Sequence, residues 1–144
     1  MTEPGEFTYR RKHRASRELL FDCMTQPEHL THFWGPDGTT TPIDGITVEL
    51  RPGGRFETTM ANIADGSQYT MRAVFLAVER PGLLSWREPN VAGGMVTTIS
   101  FADLGDGWTE VVTHQTNVPP AYVGSGFETS LRRFGEYVTT LAAG

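Results

Sequence analysis

The sequence of 144 residues contains one cysteine, Cys23, so no internal disulfide can form and the fold has to be held by packing. Such a chain suits a reducing compartment. Long apolar runs are missing as well. None follows the basic residues near the N-terminus, so neither a secretory signal nor a membrane span is expected, and the expected location is the cytoplasm. Positive charge is in deficit: 12 Lys and Arg stand against 17 Asp and Glu, and the formal net charge of -5 weighs against a duplex-binding surface. The local exception, Arg10-Arg11-Lys12-His13-Arg14, is a pattern found more often on a solvated strand or sheet edge than in a nucleic-acid site. Neither a nucleic acid nor a membrane is expected as a partner.

Catalytic signatures are equally scarce. The chain has no Ser-His-Asp grouping, nucleophile elbow or paired-carboxylate motif. His29 and His32 stand three apart in a short helical segment, a spacing that can serve a metal, but no third ligand accompanies them and a solvated face explains them. Cys23 lies on a helical apolar stripe with no histidine near it in sequence, the setting of a buried, inert thiol. Gly53-Gly54 precedes a strand, whereas a phosphate loop opens a helix. No catalytic residue, metal ligand or cofactor is assigned.

What is present is organised around the C-terminus. Val123, Phe127, Leu131, Phe134, Val138 and Leu141 recur at steps of four, four, three, four and three, which places them on one stripe of an α-helix while Glu128, Arg132, Arg133 and Glu136 face away. Ser125 and Glu128 match a capping box, and from there the helix would span roughly 26–30 Å. Upstream, Phe7 to His13 alternates weakly as a first strand, Ser16 caps a short helix that Pro27 breaks, and a second short helix runs from about Pro27 to Phe33. From Ile46 to Gln115 the period becomes two. Strands are expected at Ile46–Leu50, Arg55–Ala61, Tyr69–Val78, Leu83–Glu88, Met95–Ala102 and Thr109–Thr116, separated by turns such as Pro52-Gly53-Gly54, Asp65-Gly66 and Gly105-Asp106-Gly107. One α+β domain over 1–144, with its core at about 7–142, follows: a curved antiparallel sheet of six to seven strands against a long C-terminal helix.

Alternation assigns faces. Phe56, Thr58 and Met60 share the inner side of one strand; Tyr69, Met71 and Ala73 that of the next; Met95, Thr97, Ile99 and Phe101, then Thr109, Val111, Thr113 and Gln115, complete it. Polar groups on a buried face need partners, since each left unsatisfied costs about 1–3 kcal/mol. A cavity holding water or a ligand would supply them; bonds to one another or to backbone in a solid core would do so equally.

The run Thr25-Gln26-Pro27-Glu28-His29-Leu30-Thr31-His32-Phe33-Trp34-Gly35-Pro36 resembles the T-x-P-E-x-L-x-x-W-W-G-P signature of the family related to the C-terminal domain of the activator of heat-shock protein 90 ATPase. Glu49-Leu50-Arg51-Pro52-Gly53-Gly54-Arg55-Phe56 resembles its D-L-R-P-G-G-R-W segment, and Glu79-Arg80-Pro81 to Trp86, Gly107-Trp108-Thr109-Glu110-Val111 and Gly126-Phe127 extend the likeness from about Phe7 to Leu141. Phe33, Phe56 and Phe127 stand where the family often has tryptophan, ring-for-ring changes that bear on pocket dimensions. The resemblance implies the START-like (SRPBCC) helix-grip fold and an apolar pocket between sheet and helix.

The candidate ligand-binding residues are Trp34, Phe56, Thr58, Tyr69, Met71, Trp86, Thr97, Gln115, Phe127, Leu131 and Phe134, with Trp34 and Trp86 expected at the rim. Three functions compete. The first is binding of a small apolar or aromatic ligand, lipid-, polyketide- or metabolite-like. The second is an enzyme of cyclase, dehydratase or hydrolase type, for which the face assignment supplies no titratable interior group except Tyr69. The third, implied by the resemblance alone, is a chaperone-interacting module. A homodimer is compatible with all three.

Overall fold

The computed structural model describes residues 5–91, 93–119 and 127–143. Strand β1 (Gly5–His13) leads into helix α1 (Arg17–Thr25), whose start is set by Ser16: its hydroxyl accepts the Leu19 backbone N–H at 3.1 Å, and Glu18 sits in the positive first turn. Helix α2 (Pro27–Phe33) follows at once, because Pro27 lacks the N–H that would extend α1 yet is tolerated at the first position of a new helix. Both helices lie where their sequence signals put them. Leu20, Phe21, Cys23 and Met24 of α1 and Leu30 and Phe33 of α2 are buried.

The rest of the chain is a meander closed by a helix. A two-residue strand β2 (Thr39–Thr40) and a single 3-10 turn (Ile43–Gly45) precede β3 (Ile46–Val48), β4 (Arg55–Asn62), β5 (Gln68–Glu79), β6 (Leu83–Glu88), β7 (Met95–Gly105) and β8 (Trp108–Val118), and α3 (Phe127–Ala143) ends the described chain. The eight-stranded antiparallel sheet has the order β1-β8-β7-β6-β5-β4-β2, with β3 also paired to β4. β2 is the strand the sequence does not announce, since two residues are too short to show a period. Register shifts interrupt the β1/β8, β5/β6 and β7/β8 pairs, irregularities of the kind that accompany bending of a sheet. No described helix is long and apolar enough to cross a membrane.

The inner face carries the core. Phe56, Thr58 and Met60, then Met71, Ala73 and Phe75, then Met95, Thr97, Ile99 and Phe101, then Thr109, Val111, Thr113 and Gln115 are buried in alternation, as the period of two requires. Leu131, Phe134 and Val138 of α3 are buried in the same core, with Phe127 and Leu141 packed against it. Val123 of the stripe and Ser125 of the capping box lie outside the described residues.

One loop couples α2 to α3. The Ser130 hydroxyl accepts the Gly35 N–H at 3.2 Å, the Thr129 hydroxyl accepts the Asp37 N–H at 3.3 Å, and Arg132 pairs with Asp37. Arg133, expected to face solvent with Arg132 and Glu136, turns instead to donate to the carbonyl oxygens of Gly35 and Pro36 at 2.8 and 3.0 Å. Helical spacing alone does not show that correction, because the acceptors come from a loop 97 to 98 residues away. Gly35 is required there: its φ is +103°, and a Cβ would stand 2.7 Å from the Thr39 hydroxyl oxygen. Gly35→Ala should therefore lose about 2–3 kcal/mol of stability in urea unfolding, while Gly38→Ala, at φ +86° but facing open space, should lose only about 1 kcal/mol. Equal losses would show that the close approach adds nothing to the backbone strain.

Candidate ligand-binding site

Four elements converge on an aromatic cluster. α2 ends at Trp34, β4 contributes Phe56, β6 contributes Trp86 and α3 begins with Phe127. Ring centroids are 5.3 Å apart for Trp34–Phe56, 6.0 Å for Trp34–Trp86, 5.8 Å for Trp34–Phe127, 5.0 Å for Phe56–Trp86 and 6.4 Å for Trp86–Phe127, inside the range favoured by edge-to-face and tilted pairs. Phe75 stacks behind Phe56 at 5.2 Å. The two tryptophans do not form a rim. Trp34 is 4% exposed and Trp86 is fully buried, because each is surrounded by rings from other elements. Phe127 is the half-buried member.

Most polar groups of the inner face bond one another. The Trp34 indole N–H donates to the Thr58 hydroxyl at 2.9 Å, and the Gln115 amide donates to the Thr97 hydroxyl at 3.0 Å. Those three side chains, Thr58, Thr97 and Gln115, thus have protein partners, the solid-core alternative the sequence left open. Tyr69 is a further correction: it shares a face with Met71 but is 52% exposed, since it stands near the start of β5, opposite Met60 at the far part of β4. Met71 itself is buried.

Two buried polar atoms have no partner among the described residues, Trp86 Nε1 and Thr113 Oγ1. Thr113 borders a void of about 10 Å³ that Tyr9, Arg11, His13, Val111, Leu131 and Phe134 complete. That is room for about one water. Leu131 and Phe134, expected to wall a ligand cavity, border this small space. His13 meets Phe134 edge-on at 5.4 Å, and burial followed by the Arg11 charge lowers its pKa.

The residue that sequence reasoning missed is Glu88. It follows Leu84 and Trp86 on the inner face of β6 and is 7% exposed. The polar group its carboxyl meets is the indole N–H of Trp86. Burial pushes its pKa up to about 7, tempered by the adjacent indole N–H of Trp86, which is near enough to be felt but not aligned as a hydrogen bond. Arg87-Glu88-Pro89 reads as the charged end of a strand, which hid it; the signal available was the strand's own alternation from Leu84.

The remaining candidates are structural. Cys23 is buried and its thiol is pushed up to about 12, chiefly by burial. His29 is not simply solvated: its Nδ1 lies 2.6 Å from the Tyr137 hydroxyl, and His32 stacks on the same ring at 5.2 Å. No group of three metal-ligating side chains occurs among the described residues.

Glu88 makes a signed prediction. Its folded-state pKa lies above the ordinary 4.5, so the folded protein keeps this proton longer than the unfolded chain, and stability present below about pH 4.5 is lost as pH rises to about 7. His13 acts oppositely, losing stability as pH falls below about 6.5, and it cancels when variants are compared. Glu88→Gln should be about 2–3 kcal/mol more stable than the parent at pH 8, with the gain shrinking toward zero at pH 4. Urea unfolding at the two pH values checks it. At the other orphan, Thr113→Val should be neutral or stabilising by up to about 1 kcal/mol in the same assay.

Comparison with known proteins agrees with this fold. The profile of the family described as "Activator of Hsp90 ATPase homolog 1-like protein" matches residues 14–139. Among solved structures, a protein of Nitrosomonas europaea superposes with a TM-score of 0.81 at 20% identity over 100% of both chains. One of Chromobacterium violaceum gives 0.81 at 22% identity over 94% of this chain and 98% of its own. An AHSA1-like protein of Aeromonas hydrophila gives 0.75 at 23% identity over 94% of each. At these identities the likeness is one of fold. No curated protein matches the sequence.

Proposed function

The chain belongs to the family of Activator of Hsp90 ATPase homolog 1-like proteins, and from that premise we propose that it binds a small apolar or aromatic ligand between the inner face of its sheet and its C-terminal helix. The observation that carries this reading is Trp86 Nε1, a fully buried donor without an acceptor, in the middle of the Trp34, Phe56 and Phe127 rings. Apolar walls with a few polar groups aimed inward are what a ligand site is made of. A donor left unsatisfied in the interior costs about 1–3 kcal/mol, a cost that a ligand acceptor would offset. Phe127, the half-buried ring at the start of α3, is the wall through which such a ligand would pass.

The test is a fluorescence titration in a Trp108→Phe background, which removes the 41% exposed tryptophan and leaves the two interior ones as reporters. Fatty acids, polyphenols and substituted naphthalenes form the panel. At least one class should give a saturable change with one ligand per chain, weakened tenfold or more by Phe127→Ala. No saturation by any compound up to about 1 mM would sink the proposal.

A second reading, an enzyme using the same site, gains from Glu88, whose carboxyl titrates in the range a general acid or base needs. Every bound compound recovered chemically unchanged after long incubation would remove it.

A further inference from the structure

Positive charge is distributed unevenly over the fold. Away from the first strand the basic side chains are engaged: Arg51 and Arg55 pair with Glu49, Arg80 with Asp22 and Arg132 with Asp37, Arg87 and Arg133 donate to backbone carbonyl oxygens, and Arg72 stands opposite Glu57 in the β4/β5 register. The other five of the 12, Arg10, Arg11, Lys12, Arg14 and Arg17, crowd the end of β1 and the start of α1. Facing the run, β8 offers a single acid, Glu110, which lies 3.9 Å from Arg10 and opposite Lys12. Arg11 rests on the Tyr9 ring, 5.8 Å from its centroid, and neither it nor Arg14 has an ion pair among the described residues. Arg10, Arg11, Lys12 and Arg14 are all exposed, on a chain whose formal net charge is -5.

The same strand is an open edge. β1 ends the sheet, pairs only with β8, and keeps an unbroken register from Phe7 to His13, about 20 Å of backbone. Half of the N–H and C=O groups of such a strand point away from its neighbour, and no described backbone group takes them up. We propose that the free edge of β1 is a docking surface for an extended acidic segment of another protein, which adds a strand beside β1 and sets carboxylates against Arg10, Arg11 and Lys12. The backbone ladder holds the segment and the charge selects it. Because side chains alternate, carboxylates two apart on the added strand meet Arg10 and Lys12 on the outer face, and the residue between them meets Arg11. A phosphate backbone offers acceptors alone, so a nucleic acid would match the cations but leave the edge carbonyls unpaired. Two copies of this chain joined edge to edge would gather both basic runs on one seam, with little but their Glu6 side chains as counter-charge. Exposed ion pairs contribute little each, so the complex is transient and sensitive to salt.

The experiment is fluorescence anisotropy with the full chain and three labelled probes: an acidic peptide of Glu, Asp, Val and Thr that favours a strand, the same peptide with two of its uncharged residues replaced by proline, and an oligodeoxythymidylate. Proline keeps the charge and removes ladder donors. The strand-forming peptide should bind saturably, at least fivefold tighter than the proline form, and lose at least fivefold in affinity as salt rises from about 50 to about 300 mM. Arg10→Gln with Lys12→Gln should weaken it at least tenfold. Arg51→Gln with Arg72→Gln, which removes the same charge from exposed positions elsewhere, should leave it within about twofold. Circular dichroism melts confirm that both pairs fold, and backbone amide shifts on binding should fall on residues 6–13. Each of four results would overturn the proposal: equal affinity for the proline peptide, tighter binding of the oligonucleotide, a dimer through β1 in sedimentation without peptide, or no saturation up to about 1 mM at low salt. The last would show the basic run to be only a guard against edge pairing.

Discussion

The seating of α3 on the inner face of the sheet is the constraint on which everything else depends. Leu131, Phe134 and Val138 supply its apolar stripe, and burial of side chains of this size stabilises by about 1.5–3 kcal/mol each relative to exposure. Its rotation about its own axis is fixed separately, by polar contacts from Thr129, Ser130, Arg132 and Arg133 to the 34–37 loop. That loop carries Trp34. The helix therefore does two jobs through two faces: one covers the sheet, and the other holds the tryptophan that meets Phe56, Trp86 and Phe127. A positive-φ glycine at position 35 lets the chain come close enough for this to happen.

What the sequence made legible was whatever depends on local period or on a single stereochemical residue. Ser16 and Pro27 define α1 and α2, β6 runs from Leu83 to Glu88 as its alternation indicates, and the buried sides of β4 and β8 follow from Glu57 and Glu110 standing on the other side. What escaped depends on where an element ends or on what arrives from far away. Tyr69 has the right parity but stands where the sheet outruns its cover. Arg133 looks solvated along the helix and is not, because its acceptors lie in a distant loop. Trp34 and Trp86 were placed at a rim on the general behaviour of tryptophan, whereas four elements close around them. Glu88 was hidden by its charge: a carboxylate is ordinarily outside, and only the parity of its strand says otherwise.

The interior has two kinds of polar pair, and the difference between them matters for function. Trp34 with Thr58, and Gln115 with Thr97, are closed donor–acceptor pairs that orient side chains and leave no valence over. Trp86 and Glu88 are a looser pair. Both are buried, the indole N–H lies beside the carboxyl outside good hydrogen-bond geometry, and keeping the carboxyl there works against stability above neutral pH. A core shaped for stability alone would hold an apolar residue at position 88.

The most direct test of this account is an amide-region NMR spectrum of the three tryptophan indole N–H groups, assigned with Trp34→Phe and Trp108→Phe variants, recorded without and with a hydroxylated naphthalene. The Trp86 indole proton should move downfield and exchange more slowly on binding, while the Trp34 proton, already bonded to Thr58, stays in place. A ligand that shifts only the exposed Trp108 signal, or leaves the Trp86 proton where it was, would contradict the claim that the unpaired indole is where the guest is held.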